Sequence, residues 1–239
     1  MQENDAVYEF GTRIRYSEVG HGGCMTLPAL INLFQDCSIF HSEAVGYGPA
    51  RLKREHKAWV LTHWQLVVDR YPTVGESVTV GTFASGFKSV SATRNFYLRD
   101  ADGTLIARAK TSWAFMDLAQ MRPVRPTADH VEAYGMHDPL PMPPEERHVS
   151  APDKLIPCDP VTVQRHHIDT NEHVNNCQYV QIALDILPEE PNVHLARVDF
   201  RRSAVLGDRL FPSIARVDER TIVQLCDADG GVFGIVELA

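Results

Sequence analysis

The chain of 239 residues has no apolar run near the length of about 20 residues that a membrane-spanning helix needs. Its five cysteines, at 24, 37, 158, 177 and 226, are odd in number and form no Cys-x-x-Cys pair. That argues against a disulfide framework and for free thiols in a reducing compartment. A surplus of positive charge is also missing. The net charge is −8, which speaks against general nucleic-acid binding but leaves room for a local basic patch facing an acidic partner. The opening Met1-Gln2-Glu3-Asn4-Asp5 lacks the basic and apolar regions of a signal peptide. What is present is 44% hydrophobic content, enough to build one large domain or two modest ones with real cores.

Proline is unevenly spread. Nine of the fifteen prolines fall between Pro123 and Pro160, most densely at Pro139-Leu140-Pro141-Met142-Pro143-Pro144. The stretch reads as an extended, surface-lying linker over 128–154 between units 1–127 and 155–239. A long covering loop within one domain is the alternative.

The flanks of this stretch resemble each other. Leu98-Arg99-Asp100-Ala101-Asp102-Gly103-Thr104-Leu105 recurs as Leu225-Cys226-Asp227-Ala228-Asp229-Gly230-Gly231-Val232, each a Gly-containing turn between strand-like runs. Val74-Gly75-Glu76 matches Leu206-Gly207-Asp208. Arg15 closes an extended run ahead of a helix, and Arg165 does much the same. Three matches in one order suggest a duplicated unit of strand, helix and several strands. In the first unit, Val7 to Tyr16 reads as extended. Leu27 to Val45 reads as helical, with Leu30, Leu33, Phe34, Cys37 and Phe40 on one side, Pro28 in the first turn and Gly46 as the stop. In the second unit, Val161 to Ile168 reads as extended and Asn175 to Leu187 as helical. A long helix burying its apolar face on an antiparallel sheet gives an α+β class.

The chemistry gathers in Ile168-Asp169-Thr170-Asn171-Glu172-His173-Val174-Asn175-Asn176-Cys177-Gln178-Tyr179. Asp169, Asn171 and His173 alternate, so in an extended segment a carboxylate, an amide and an imidazole would point to one side. Turn and cap chemistry is the bland account, and Asn175 or Asn176 suits a helix cap. A zinc site from His166, His167, His173 and Asp169 lacks a second ligand cluster, and His166 and His167 should face opposite ways. Cys177 falls inside the helix, where a free cysteine usually packs. No cofactor is implied.

The pattern Asp169, Asn171, His173, Asn175, Asn176, Tyr179 resembles the D-x-N-x-H-x-N-N-x-x-Y signature of acyl-ACP thioesterases from bacteria and plant plastids. Trp59-Val60-Leu61-Thr62 with Val67-Val68-Asp69-Arg70-Tyr71-Pro72, and Leu27-Pro28-Ala29-Leu30 with Phe34-Gln35-Asp36, are similar to that family's first-unit strand and helix. The likeness runs from about Tyr8 to the C-terminus. It implies two tandem hotdog units, each a curved antiparallel sheet around a long helix. It also implies hydrolysis of a fatty acyl-ACP thioester, with Asp169, Asn171 and His173 as catalytic residues. The alternatives are an acyl-CoA thioesterase or a noncatalytic acyl-binding hotdog protein.

The resemblance further implies an acyl tunnel in the first unit, for which Leu30, Phe34, Cys37, Trp59 and Trp64 are candidate lining residues. An acidic acyl carrier protein is the expected partner, met by Arg51, Lys53 and Arg54 or by Arg201 and Arg202, with no nucleic acid and no membrane insertion. One departure stands out: in Phe200-Arg201-Arg202-Ser203, Ser203 occupies the place of the family's usual water-activating Glu. Strand alternation puts Asp199 on the same side as Arg201 and opposite Arg202. Joined units allow a monomer or a homodimer, and the lack of a transit peptide points to a bacterial cytoplasm.

Overall fold

The structure, a computed structural model, describes residues 7–144, 148–189 and 191–239. The opening pentapeptide and residues 145–147 of the proline-rich stretch lie outside the described residues. The chain divides into two compact units, Met1–Thr62 with Leu66–Pro143, and His63–Gln65 with Pro144–Ala239.

The first unit contains β1 (Val7–Arg13), α1 (Leu27–Ala44), α2 (Pro49–Arg54), β2 (Lys57–Val68), β3 (Ser77–Lys88), β4 (Ser91–Asp100), β5 (Leu105–Asp117), β6 (Arg122–Pro123) and α3 (Ala128–Tyr134). Its strands run in the order β1-β3-β4-β5-β2, and the β1–β3, β3–β4 and β4–β5 pairs are antiparallel. Thr26 caps α1 by accepting a hydrogen bond from the Ala29 N–H at 3.2 Å, and Pro28 sits in the first turn, where its missing donor costs nothing. Gly46, with φ of 79°, turns the chain away at the other end. Leu27, Leu30, Ile31, Leu33, Phe34, Cys37, Ser38 and His41 form the buried face.

Phe40 does not join that face. It is 45% exposed and lies against Phe10, with ring centroids 5.5 Å apart. Residues four apart share a helix face, so the inward place after Cys37 belongs to His41. The start of the proline-rich stretch also departs from the extended reading. Residues 128–134 form α3, capped by Thr127, and Tyr134 is buried. Beyond it the chain lies along unit 1: the His137 N–H donates to the Ala84 carbonyl (2.9 Å), the Leu140 N–H to Asn95 Oδ1 (2.8 Å), and Arg108 Nε to the Pro141 carbonyl (3.1 Å).

The second unit contains β7 (Ile156–Pro157), β8 (Val161–Thr162), α4 (Asn176–Asp185), β9 (Leu195–Phe200), β10 (Arg209–Val217), β11 (Arg220–Cys226) and β12 (Val232–Leu238). Its sheet order is β9-β12-β11-β10-β7, with β8 also on β10. Cys177, Tyr179, Val180, Ile182 and Ala183 form the buried face of α4. The opposite face of the sheet is covered in part by Val149 and Ala151, which pack with Ile222 and Ile235.

The duplication holds at the level of backbone hydrogen bonds. Ile14 N–H donates to the Glu76 carbonyl and receives Gly75 N–H; Val163 N–H donates to the Asp208 carbonyl and receives Gly207 N–H. Asp100 closes its hairpin with Thr104 as Asp227 does with Gly231. Each unit then makes a short 3-10 turn, Tyr16–Glu18 or Arg165–His167, whose preceding residue is Arg15 or Gln164. Arg15 therefore corresponds to Gln164, one residue earlier than the sequence match to Arg165. The same turn ends the extended runs, so β1 stops at Arg13 and β8 at Thr162 rather than at Tyr16 and Ile168.

Two buried imidazoles of unit 1 carry a pH consequence. Burial, reinforced by the Arg94 charge, lowers His41 from 6.5 to about 3; burial and then Arg51 lower His130 to about 4. Both are neutral in the folded chain, and both take up a proton on unfolding below 6.5. The unfolded state thus binds more protons in this window, so stability falls as pH drops from 6.5 toward those lowered values. Urea midpoints should decline over pH 6.5 to 4, and the decline should be shallower in His41→Gln with His130→Gln. Equal slopes in the wild type and the double variant would refute this.

Candidate functional site

Asp169, Asn171 and His173 do not lie on an extended strand. Ile168 and Val174 form an isolated antiparallel bridge, and residues 169–173 fold into the tight loop between them. The Asp169 N–H donates to the His173 carbonyl at 2.8 Å, and the Glu172 N–H to the Asp169 carbonyl at 3.1 Å. Glu172 makes the reversal with φ of 64°, a left-handed conformation that costs a residue with a Cβ more than glycine. The Asp169 carboxylate then organises the loop from within. Its Oδ1 accepts the Asn171 N–H at 2.8 Å and, more weakly, the His173 N–H at 3.4 Å; its Oδ2 faces Asn171 Nδ2 at 3.4 Å. This is Asx-turn chemistry, in which a side chain replaces a backbone acceptor. It joins the Asp169 and Asn171 side chains and ties the His173 main chain to them.

The imidazole of His173 is exposed and has no hydrogen-bond partner among the described residues. The Asp169 carboxylate holds the main chain under His173 rather than its ring. Directly after the loop, Asn175 caps α4 by accepting the Cys177 N–H at 3.0 Å, so the positive end of the helix begins beside the trio.

Ser203 reaches the same neighbourhood by another route. β9 ends at Phe200, because the Arg201 and Arg202 N–H groups share the Phe233 carbonyl (2.8 and 3.2 Å) and the chain leaves the strand. Ser203 is exposed in the irregular segment that follows. Its neighbour Ala204 is fastened on both sides. The Ala204 carbonyl accepts the Val174 N–H at 2.9 Å, and the Ala204 N–H donates to Tyr179 Oη at 2.8 Å. Tyr179 is buried on α4, its ring edge-on to Phe200 at 5.7 Å, and burial raises its hydroxyl above the ordinary tyrosine value. One tyrosine thus ties the helix, the residue after His173 and the residue after Ser203. The final Tyr of the motif was the only signal in the sequence for this clasp.

A second group missed by sequence reasoning surrounds Asp199. This carboxylate is 1% exposed and accepts from His63 Nδ1 (2.7 Å), Arg201 Nη2 (2.6 Å) and the Val149 N–H (3.2 Å), with His148 Nδ1 at 3.3 Å. Burial alone would raise its pKa, but the His63 hydrogen bond, the His63 and Arg201 charges and the Val149 N–H together hold it below the usual carboxylate range. Arg201 does share the side of Asp199, as alternation implied. Arg202 turns to Asp227 and lies over the Phe233 ring at 4.2 Å.

The five candidate tunnel residues do not form one set. Leu30, Phe34 and Cys37 share the inner face of α1, and Phe34 stacks on Phe96 at 5.3 Å. Trp59 belongs to a separate cluster with Tyr47, Phe115 and Tyr134, and its indole N–H donates to His130 Nε2 at 3.2 Å. Trp64 is 1% exposed and falls in the β2 segment grouped with the second unit. The His166 and His167 rings touch at 4.1 Å, because a 3-10 turn does not send neighbours to opposite faces as a strand does. Among the described residues, no three His, Cys, Asp or Glu side chains are placed to hold a metal ion, and no helix is long and apolar enough to cross a membrane.

Unit 1 repeats the loop without its chemistry. Gly20 N–H donates to the Cys24 carbonyl at 3.0 Å and Gly23 N–H to the Gly20 carbonyl at 2.9 Å, with Gly23 at φ of 73°. Gly20, Gly22 and Cys24 therefore stand where unit 2 has Asp169, Asn171 and His173.

Comparison with known proteins agrees with both halves. The acyl-ACP thioesterase N-terminal domain matches residues 5–134 and the C-terminal domain residues 153–219. The chain is 25% identical over 217 residues to the chloroplastic palmitoyl-acyl carrier protein thioesterase of Gossypium hirsutum, covering 84% of this chain and 52% of that protein. It is 25% identical over 231 residues to the chloroplastic oleoyl-acyl carrier protein thioesterase 1 of Arabidopsis thaliana, covering 87% and 63%. The chain thus spans between half and two thirds of the length of these relatives.

Two solved structures share the fold. An acyl-ACP thioesterase from Bacteroides thetaiotaomicron superposes with a TM-score of 0.87 at 23% identity, covering 100% of this chain and 99% of that one. The 12:0-ACP thioesterase from Umbellularia californica gives 0.81 at 20%, covering 98% and 96%. The two units are tandem hotdog folds. With domain matches across both units, the chain belongs to the acyl-ACP thioesterase family.

Proposed function

We propose that the chain hydrolyses the thioester of fatty acyl-ACP, releasing the free fatty acid and the carrier's thiol in fatty acid biosynthesis. The observation that carries this is the loop itself: a carboxylate spent on holding the main chain, with an exposed, unpartnered imidazole two residues from a carboxamide in the same tight turn. Membership of the family supports the same reading.

In this mechanism His173 takes a proton from water as the water oxygen attacks the thioester carbonyl carbon. Asn171 Nδ2, bonded only weakly at 3.4 Å to Asp169, offers its hydrogens to the developing oxyanion, and the N-terminal end of α4 adds a favourable field. The tetrahedral intermediate then expels the thiolate, which recovers the proton from His173. Water has become the acid's hydroxyl and the thiol's hydrogen. Ser203 has no titratable group for the role the family's Glu plays; its hydroxyl can hold the water, and base strength rests on His173. Asp169 and Tyr179 position the loop, the first by its Asx turn and the second through Ala204.

The acidic carrier would meet exposed cations. Lys53 and Arg54 on α2 are exposed, whereas Arg51 is bonded to Glu55 at 2.8 Å and lies over Tyr47. Arg201 and Arg202 flank the segment of Ser203. The acyl chain is assigned to unit 1, with Leu30, Phe34 and Cys37 on the inner face of α1. Free cysteines at all five positions fit a bacterial cytoplasm.

Thiol release from a panel of acyl-ACPs of graded length should show turnover, and more efficiently than from the matched acyl-CoAs. No release from any carrier thioester would overturn the hydrolase reading, and equal kcat/KM on CoA would overturn the carrier preference. His173→Ala should lower kcat about 10²–10⁴-fold with the fold intact. Asp169→Ala should lower it as well, by freeing the loop. Full rates in both folded variants would remove the assignment. Tyr179→Phe should cost about 1–2 kcal/mol in urea unfolding and reduce kcat more than it changes KM, with the pH profile kept because the base is unchanged. An unaltered kcat would leave Tyr179 with a purely structural role.

A further inference from the structure

The inner face of α1 ends in a charge. Leu30, Phe34, Cys37 and His41 follow one another along it, and at His41 the helix meets Arg94 of β4, which is 9% exposed. A guanidinium keeps its charge at any pH a folded protein meets, so burying it calls for an opposite charge. Asp199 in unit 2 shows the ordinary solution, a buried charge ringed by a guanidinium and further hydrogen-bond donors. Arg94 has no such ring. Among the described residues it forms no ion pair, and its neighbours are neutral. Nη1 donates to His41 Nδ1 at 2.9 Å and to Thr82 Oγ1 at 3.2 Å, and the guanidinium lies 5.3 Å from the Tyr134 ring. His41 can accept only as the neutral imidazole.

The way these bonds are distributed matters. Both use Nη1. Nε and Nη2 have no acceptor among the described residues, and their hydrogens form the parallel pair with which arginine grips a carboxylate in bidentate fashion. Tyr134 is not available as a substitute anion, since its hydroxyl donates to Ser42 Oγ at 2.9 Å. Thr82 is committed too, donating to the Asn95 carbonyl at 2.8 Å. The chemistry left at the end of an apolar stripe is that of an aliphatic chain with a terminal carboxylate.

We propose that Arg94, braced by His41 and Thr82, is a carboxylate-binding site in unit 1 that takes the ionised end of an aliphatic acid along the inner face of α1. The choice of an aliphatic tail rests on the thioesterase reading; the carboxylate rests on Arg94 alone. Two sources share this chemistry, the fatty acid that hydrolysis releases and an acyl group carrying a carboxyl at its far end.

Calorimetric titration with dodecanoate and with dodecan-1-ol tests the site without turnover. Wild type should bind the acid roughly tenfold to a hundredfold more tightly than the alcohol. Arg94→Met should abolish that preference, and Arg94→Lys, which keeps charge but loses the fork, should weaken it. Cooperative urea unfolding of both variants is the check on folding. Hydrolysis of dodecanoyl and ω-carboxydodecanoyl thioesters separates the sources: an Arg94-dependent preference for the ω-carboxyl substrate identifies the substrate's far end, and Arg94-dependent binding of the free acid alone identifies the product. No binding of dodecanoate to wild type, or equal binding of acid and alcohol in wild type, overturns the proposal. So does undiminished acid binding in Arg94→Met. Binding and thiol release are separate readouts, so failure of either leaves the other standing.

Discussion

Everything at the candidate site depends on how the chain closes the loop between a 3-10 turn and a helix. Asp169 N–H to the His173 carbonyl and Val174 N–H to the Ala204 carbonyl are backbone bonds, and unit 1 makes their equivalents through Gly20, Cys24, Met25 and Pro72. The frame therefore needs none of the side chains of the candidate site. Given that frame, a carboxylate at the first loop position finds the N–H groups of the third and fifth positions already pointing at it. A side chain at the fifth position is then left outward and unpaired. The scaffold is common to both units, and the carboxylate, carboxamide and imidazole are added in one copy.

Much of this was legible in the sequence, for reasons that differ by element. The buried stripe of α1, its Pro28 start and its Gly46 stop are local signals, and the helix appears where they place it. Hairpins at Gly103 and Gly230 are equally local. Phe40 shows the limit of helical periodicity: an apolar residue adjacent to the inner stripe is as easily satisfied by Phe10 outside it, and only the position of the sheet decides. Arg15 and Arg165 share a residue type, whereas the backbone equivalence runs from Arg15 to Gln164. The trio was found by alternate spacing, yet it is joined by an Asx turn. Alternate spacing suited the Asx turn as well as a strand, because the Asp169 carboxylate reaches the N–H groups two and four residues on. Tyr179 and His63 could not be assigned, since Ala204 and Asp199 lie far along the chain.

The two units also differ in how they treat a buried charge. Around Asp199, an imidazole, a guanidinium and a backbone N–H outweigh the cost of desolvation, and the carboxyl stays ionised. Near Arg94 the helix supplies an imidazole that burial holds neutral, at about 3, so the local groups offer lone pairs but no charge. Protonating His41 would place two cations in contact, so the same guanidinium that needs a partner also keeps its neighbour from becoming one of the wrong sign. A neutral acceptor recovers only part of what a buried cation loses on leaving water. Were Arg94 a purely structural element, a methionine or leucine there would pack on Tyr134 at lower cost. A guanidinium with one edge occupied and the other open has the geometry that a bidentate anion requires.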